Sequence, residues 1–189
     1  MNVYDFDDTI YDGESCLDLF RFYIKKDPSL LKKAPRVLFA FAKYKMGKVT
    51  VEQALRQYGG ELAEMFLKIP DMRADAEEFW DIYFKNIKPF YKQIQQPDDL
   101  IITASPEITV QVACERLGIH NLIGSVIDPK TGEVTRLCMR GNKIKAFFEA
   151  YPEGKIENFY TDSPKNDKPL IDAAQHAFIV KGSKITQIK

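Results

Sequence analysis

The sequence Tyr4-Asp5-Phe6-Asp7-Asp8-Thr9-Ile10 decides how the rest of the chain is interpreted. Residues 2–4 predict a short strand, and Asp5 follows at its carboxyl end. Side chains at i and i+2 share one face of a strand, so Asp5 and Asp7 can point at the same atom as the strand opens into a loop. In open α/β sheets, ligands bind at this edge. The two acids and the hydroxyl of Thr9 therefore predict a site for a divalent metal and a phosphate; the alternative is an acid-rich turn.

The composition is that of an ordinary globular protein. The 189 residues, 45% of them hydrophobic, suffice for one core plus a modest inserted module. Lys plus Arg and Asp plus Glu each number 27, so the overall charge gives no indication of a nucleic-acid partner. The three cysteines match no zinc spacing and no disulfide framework, which favours a reducing compartment. The chain enters the predicted strand directly and has no apolar run of roughly 18 residues, so we expect a cytoplasmic protein without a signal peptide.

Strand and helix patterns divide the chain into two parts. Residues 13–95 have helical periodicity without strand signals, with breaks expected at Gly59-Gly60 and Ile69-Pro70. After residue 97, short apolar runs alternate with helical segments, as in the βαβ units of a parallel sheet, and a polar tail follows the last run, 178–180. We predict an α/β fold: a Rossmann-like parallel-sheet core formed by residues 1–12 and 96–189, with an all-helical cap inserted over residues 13–95, after the first strand.

A second polar group follows the apolar run 100–102. Thr103 closes this predicted strand, where its hydroxyl and the following backbone N–H groups, beginning with that of Ala104, can hold an oxyanion. Ser105 competes for this role, but the proline after it favours Ser105 as the N-cap of the next helix. A threonine at a strand end can also be purely structural.

Lys143 is the candidate cation of the site. It lies at the start of a predicted helix, where a cation faces the unfavourable end of the helix dipole. This cost is offset if the ammonium group reaches inward to a phosphate. Lys145, two residues on, is the alternative, and it can equally be a surface residue.

The last polar group, Thr161-Asp162-Ser163-Pro164-Lys165-Asn166-Asp167, follows the apolar run 156–160. An acid at a strand end, with another five residues later, can ligate and support a hard cation. The alternative is that Ser163 and Asp167 only form the start of the helix predicted to follow.

In order and in strand position, these groups resemble the four motifs of the haloacid dehalogenase superfamily, and the helical insertion resembles that superfamily's first cap class. The motif residues are Asp5-x-Asp7-x-Thr9, Thr103, Lys143 and Thr161-Asp162-x-x-x-x-Asp167. Three further runs are similar to the phosphoserine-phosphatase-like subfamily: Thr103-Ala-Ser-Pro-Glu107, Tyr160-Thr-Asp-Ser163 and Lys168-Pro-Leu-Ile171.

The resemblance implies a phosphomonoester hydrolase. Asp5 would attack phosphorus to give an aspartyl-phosphate, and Asp7 would protonate the leaving alcohol and later deprotonate the attacking water. An Asp at this second position favours phosphatase or phosphomutase chemistry over the dehalogenases and ATPases of the superfamily. Mg²⁺ would be held by the Asp5 carboxylate, the Asp7 backbone carbonyl and Asp162. The remaining implied roles are phosphate binding by Thr103, Ala104 and Lys143, support by Thr9, Asn166 and Asp167, and an exposed turn position for Asp8.

The cap gives weaker indications of the substrate. Glu14 lies where phosphoserine phosphatases carry an acid that meets the substrate amine. Tyr58, however, falls where those enzymes have a carboxylate-binding Arg, with Arg56 two residues away, and this departure argues against phosphoserine. Residues 21–48 contain nine Lys or Arg and one acid. This charge can pair with acidic cap helices, or its stretch 36–48 can meet an anionic substrate or a membrane surface, the latter only for a lipid phosphate.

The expected substrate is a small phosphorylated metabolite or lipid head group, and the expected protein is a monomer or homodimer without a nucleic-acid partner. Two alternatives stay open. One is a phosphomutase or phosphotransferase of the same fold, in which an alcohol instead of water accepts the phosphoryl group. The other is a non-catalytic phosphate-binding module.

Overall fold

The computed structural model describes residues 1–32 and 63–189, together with residues 35, 39, 43, 53, 59 and 60. Most of the predicted basic stretch 36–48 and the cap positions Arg56 and Tyr58 lie outside the described residues. Two residues of the stretch are described, and the ammonium group of Lys43 lies 4.4 Å from the centroid of the Phe39 ring.

A seven-stranded sheet organises the fold. Its strands are β1 (Asn2–Tyr4), β2 (Leu100–Pro106), β3 (Asn121–Ile127), β4 (Val134–Arg136), β5 (Asn158–Thr161), β6 (His176–Lys181) and β7 (Lys184–Gln187), in the order β4-β3-β2-β1-β5-β6-β7. The five strands from β3 to β6 in this order run parallel. The predicted α/β fold with a parallel sheet is therefore confirmed, and the residues that follow β1 emerge between β2 and β5.

Helices connect most of these strands. One short 3₁₀ helix ends at residue 32, before the range 33–62 that is largely not described, and another begins at residue 84. The α-helices whose bounds the structure describes are α1 (Ser15–Lys26), α2 (Met72–Tyr83), α3 (Pro89–Ile94), α4 (Glu107–Leu117), α5 (Gly141–Ala150) and α6 (Lys168–Ala173), and the 3₁₀ helices are Pro28–Lys32 and Phe84–Asn86. Residues 35, 39, 43, 53, 59, 60 and 63–67 are also helical. Helix α4 ends at Gly118, whose φ of 73° is the left-handed conformation that glycine adopts at no steric cost.

Apolar side chains cover both faces of the central strands. Val3 of β1 belongs to a core cluster that includes Phe147 of α5 and Leu170 of α6. On the opposite face, the rings of Tyr4, Tyr160 and Phe178, which are neighbours in strand register, stack at centroid distances of 4.5 and 4.7 Å. Because side chains alternate along a strand, the residue after Tyr4 returns to the face of α5 and α6.

Neither Ser105, predicted as an N-cap, nor Ser163, considered for the start of the last helix, occupies an N-cap position. Ser105 lies inside β2, which continues to Pro106, and Pro106 occupies the N-cap position of α4. Residues 163–167 form a turn in which the N–H groups of Asn166 and Asp167 both bond the carbonyl of Ser163, at 3.1 Å. Helix α6 therefore begins at Lys168, with Asp167 at its N-cap position.

Two other local predictions also differ from the structure. Gly59 and Gly60 are helical, because a glycine costs a helix only about 1 kcal/mol. The polar tail forms β7, which pairs antiparallel with β6 across a two-residue turn that starts at Gly182. The φ of Gly182 is 59°, as tight hairpin turns require.

Contacts within the chain define two compact units. One comprises Met1–Cys16, Met72–Val126 and Arg136–Lys189, and the other comprises Leu17–Asp71 and Ile127–Thr135. The boundaries of the helical insertion after residues 12 and 95 stay a prediction. Within the described ranges, no helix is both long enough and apolar enough to cross a membrane.

Candidate active site

Asp5, Lys143 and Asp167 form a buried charged cluster at the carboxyl end of β1. The Nζ atom of Lys143 lies 2.7 Å from Oδ1 of Asp5 and 3.1 Å from Oδ1 of Asp167. All three residues are buried. Burial alone would lower the pKa of Lys143, but the two carboxylates outweigh it and raise that pKa, so the ammonium group stays charged. The geometry of the sheet brings these three side chains together, because Asp5 lies on the face of the sheet that is covered by α5 and α6.

Asp162 approaches the same cluster from the end of β5. Its backbone N–H donates to the hydroxyl of Thr9 at 2.8 Å, which fixes the turn after β5 to the loop after β1. Burial, followed by repulsion from the carboxylates of Asp5 and Asp8, raises the pKa of Asp162 to about 7. Acids crowded in this way favour a bound cation, because a cation relieves their repulsion.

Asp7 has a different environment from Asp5. Its Oδ1 accepts the backbone N–H of Ser15, the first residue of α1, at 2.6 Å, and its Oδ2 accepts the hydroxyl of Ser105 at 2.8 Å. Burial raises the pKa of Asp7, while these hydrogen bonds oppose that rise. Each carboxylate oxygen of Asp7 thus accepts a hydrogen bond from the protein, and the predicted metal ligand of this residue is its backbone carbonyl.

The predicted phosphate-binding residues lie in an irregular part of β2. Ile102 pairs with Ile123 of β3 and Pro106 pairs with Ser125, so the three residues of β2 between Ile102 and Pro106 face one residue of β3. Bulges of this kind re-aim side chains and are common beside active sites. Within the bulge, Thr103 is buried and its Oγ1 accepts the N–H of Ser105 at 3.1 Å. The carbonyl of Ala104 accepts the hydroxyl of Ser125 at 2.6 Å.

Lys88 is a residue of this region that sequence reasoning missed. Lys88 is buried, and its ammonium group donates to the backbone carbonyl of Asp8. The backbone N–H of Lys88 donates to the carbonyl of Ile10 at 2.8 Å. Asp8, expected as an exposed turn residue, is half-buried with a φ of 54°, and its side chain accepts the N–H of Gly13 at 3.1 Å. Lys88 therefore holds the loop that carries Asp7 and Thr9.

Three predicted residues lie further from the cluster. Lys145 is exposed, so the structure places Lys143, and not its rival, against Asp5. Asn166 is exposed in the turn before α6, where its amide donates to the Ser163 hydroxyl at 2.9 Å. Glu14 is half-buried beside Asp7, and its charge contributes to the raised pKa of that residue.

The donor set fits a hard divalent cation. Among the described residues, no three His, Cys, Asp or Glu side chains form a metal-binding group. The predicted Mg²⁺ site does not need one, because it uses two carboxylates, those of Asp5 and Asp162, and the carbonyl of Asp7. Mg²⁺ is held in proteins by one or two carboxylates, with waters and phosphate oxygens completing its shell.

The fold and the site together define an α/β protein with an acidic ligand site at the carboxyl edge of a parallel sheet. The chain belongs to the haloacid dehalogenase-like hydrolase family, whose sequence model matches residues 3–172. This match covers all four predicted motifs and confirms the resemblance that they carry. A sequence comparison with curated proteins gave no match.

Solved structures of similar fold agree with this assignment. A protein of unknown function from Bordetella pertussis Tohama I has a TM-score of 0.75 and 20% identity, over 94% of this chain and 87% of that one. A phosphoserine phosphohydrolase-like protein from Francisella tularensis has a TM-score of 0.62 and 18% identity, over 94% and 86%. A phosphoserine phosphatase, solved as an analogue of its phospho-aspartyl intermediate, has a TM-score of 0.52 and 17% identity, over 93% and 83%.

Proposed function

We propose that the protein is a Mg²⁺-dependent phosphomonoester hydrolase that works through an aspartyl-phosphate intermediate. The observation that carries the proposal is the contact between the Asp5 carboxylate and the Lys143 ammonium group, 2.7 Å apart in a buried site at a strand end. Family membership supports it, as does the likeness in fold to a phosphoserine phosphatase and a phosphoserine phosphohydrolase-like protein.

Asp5 is the proposed nucleophile. Burial raises the pKa of Asp5 and Lys143 opposes that rise, while the ammonium group fixes Oδ1, so that the other oxygen is directed into the site. Asp167 holds Lys143 from the opposite side, and Thr161 donates its hydroxyl to Asp167 at 2.7 Å. The ammonium group can then neutralise charge on the transferring phosphoryl group, which is the main catalytic work in phosphoryl transfer.

Thr103 and the backbone of Ala104 are proposed to bind the phosphoryl oxygens. The Thr103 oxygen already accepts the N–H of Ser105, so its own proton is directed to another acceptor. Asp5, the carbonyl of Asp7 and Asp162 would hold Mg²⁺, which when bound supplies positive charge to the phosphate oxygens.

Asp7 is the proposed acid and base. In the first half-reaction it gives a proton to the leaving alcohol as the Asp5–phosphorus bond forms and the phosphorus–oxygen ester bond breaks. In the second it takes a proton from the water that cleaves the aspartyl-phosphate. The helical insertion is proposed to select the substrate, a small phosphorylated metabolite or a lipid head group.

A hydrolysis screen tests this proposal. Purified protein with Mg²⁺ is offered sugar phosphates, phospho-amino acids, nucleotides and lipid phosphates, and inorganic phosphate is measured, with Asp5→Asn as the matched control. We expect turnover of at least one class by the wild type and none by the variant. Phosphate that appears on an added alcohol instead of in solution would identify a phosphotransferase. Equal activity of both proteins would reject the proposal.

A further inference from the structure

Ser105 contacts two of the groups proposed to act on the substrate, Asp7 and Thr103. Its hydroxyl donates to Oδ2 of Asp7 at 2.8 Å, and its backbone N–H donates to Oγ1 of Thr103 at 3.1 Å. The side chain is only 1% exposed, so water does not compete for these bonds. The N-cap role expected from the sequence is ruled out, because Ser105 lies in β2.

The direction of the Ser105 hydroxyl is fixed by its neighbours. In its ionised form the Asp7 carboxylate only accepts hydrogen bonds, so the Ser105 proton is then given to Asp7. The Ser105 oxygen then accepts from the hydroxyl of Ser15 at 2.8 Å, and the thiol of Cys16 lies 3.1 Å away. The hydroxyls of Ser15 and Ser105 thus form a chain at the Asp7 carboxylate, which the Ser15 side chain also contacts directly.

This chain completes a two-point attachment of the Asp7 carboxylate. One oxygen is held by the backbone N–H of Ser15, at the start of α1, and the other by Ser105 of β2. One hydrogen bond leaves a carboxylate free to turn about its last side-chain bond, whereas two bonds from different elements fix its plane. We propose that Ser105 is a positioning residue, which orients Asp7 for proton transfer to the leaving group; this rests on the proposed function.

The effect of Ser105 on Asp7 can be measured by comparing kcat/KM for substrates with poor and good leaving groups. An alkyl leaving group needs a proton from Asp7, whereas a nitrophenyl group leaves without one, so misorientation of Asp7 slows only the alkyl substrate. For Ser105→Ala we expect kcat/KM for glycerol 2-phosphate to fall about 10- to 100-fold, because small displacements of catalytic groups cost that much. For p-nitrophenyl phosphate, kcat/KM should change less than about threefold.

Two comparisons separate positioning from simple loss of packing. Ser125→Ala removes another buried strand serine, which bonds Ala104 and not Asp7, and should keep the wild-type ratio of the two substrates. In an Asp7→Asn background, adding Ser105→Ala should leave the ratio unchanged. If Ser105→Ala does not fold, Ser105→Cys, which is similar in size and a weak donor, takes its place.

Equal loss on both substrates, or a ratio that still changes in the Asp7→Asn background, would overturn the inference while leaving the hydrolase proposal intact. If the wild type hydrolyses neither substrate, crystal structures of wild type and Ser105→Ala decide instead. A turned Asp7 carboxylate in the variant supports positioning by Ser105, and an unmoved one overturns it.

Discussion

A buried carboxylate lies near each end of the central strand β1: Asp5 follows its last residue, and Asp99, which precedes β2, lies beside its first residue. The two carboxylates are held by different kinds of group. At the carboxyl end, Asp5 is 2.7 Å from a lysine ammonium group, with further acids close by. At the amino edge, Asp99 is fully buried, and the bonds that hold it come from neutral groups: the side-chain amide of Asn2 at 3.0 Å and the backbone N–H of Gln96 at 2.9 Å.

This contrast distinguishes the edge proposed to be reactive from a structural one. Asp99 closes a local turn and accepts a hydrogen bond from Asn2 of β1, which in turn accepts one from Asn158 of β5. Neutral donors are sufficient for these structural bonds. The Asp5 edge gathers several buried charges, which cost more to bury than apolar residues of the same size. We infer that the charged groups around Asp5 serve the proposed chemistry, and that the neutral hydrogen bonds around Asp99 serve the stability of the fold.

The largest effect should separate the two ends. Asp5→Asn should lower kcat by roughly 10³-fold or more, because a neutral amide cannot attack phosphorus. Asp99→Asn should leave kcat within about twofold, because a residue at the opposite edge does not meet the substrate. Steady-state assays of both purified variants, with circular dichroism to confirm folding, check this prediction. Residual activity within tenfold of wild type in Asp5→Asn would contradict the nucleophile assignment.

Within the reactive edge, Asp7→Asn should have the next largest effect. We expect kcat/KM for an alkyl phosphate to fall about 10²- to 10⁴-fold, and that for an aryl phosphate to fall much less, because only the former needs a proton. Parallel kcat/KM measurements on glycerol 2-phosphate and p-nitrophenyl phosphate provide the test. An identical loss on both would make Asp7 a structural residue, like Asp99.

Metal dependence should rank the supporting acids. Asp162→Ala should raise the Mg²⁺ concentration needed for half-maximal activity about 10- to 100-fold, and Asp167→Ala should raise it less, because Asp167 contacts Lys143 and Thr161. Chelation should abolish activity until Mg²⁺ is restored, and Ca²⁺ should inhibit, because its looser coordination disturbs in-line attack. Titrations with Mg²⁺ measure the ranking, and the reverse order would exchange the two roles.

The smallest effect concerns pH and the structural edge. Burial raises the pKa of Asp99, so ionisation of this carboxyl is less favourable in the folded protein than in the unfolded chain. The contribution of Asp99 to stability is then complete below its unfolded pKa of about 3.9 and declines as pH rises through the folded value. Asp99→Asn should therefore destabilise most at acidic pH, by about 1–3 kcal/mol, and less at neutral pH. Urea unfolding of the wild type and of Asp99→Asn at several pH values gives the difference between their free energies of unfolding. A difference that grows as pH rises would contradict this prediction.

Sequence patterns predicted the reactive edge because its residues follow simple rules. Asp5, Thr103 and Asp162 follow parallel strands, whose carboxyl ends meet at one edge, and Lys143 lies near the start of a helix that returns to that edge. The position of Thr9 also followed from the motif, although its bond to the turn after β5 did not.

Contacts between distant segments could not be predicted. Ser105 was expected as an N-cap because proline follows it, but that proline, Pro106, pairs with Ser125 of β3, so β2 continues past Ser105. Lys88 bonds a carbonyl 80 residues away, and a lone lysine in a helical stretch gives no signal of such a partner. Asp99 looks like a turn residue until the sheet brings Asn2 against it.

The terminal strand β7 bears on the behaviour of the protein in concentrated solution. It is the last strand of the sheet, so its outer backbone edge is a possible template for a strand of another molecule. β7 is only four residues long, all exposed, and it begins with Lys184, and short edges that carry lysine resist such pairing. It also shields β6, whose Ala177 and Val180 are buried. A chain cut after Lys181 would present the more apolar β6 as its edge, and would be prone to self-association.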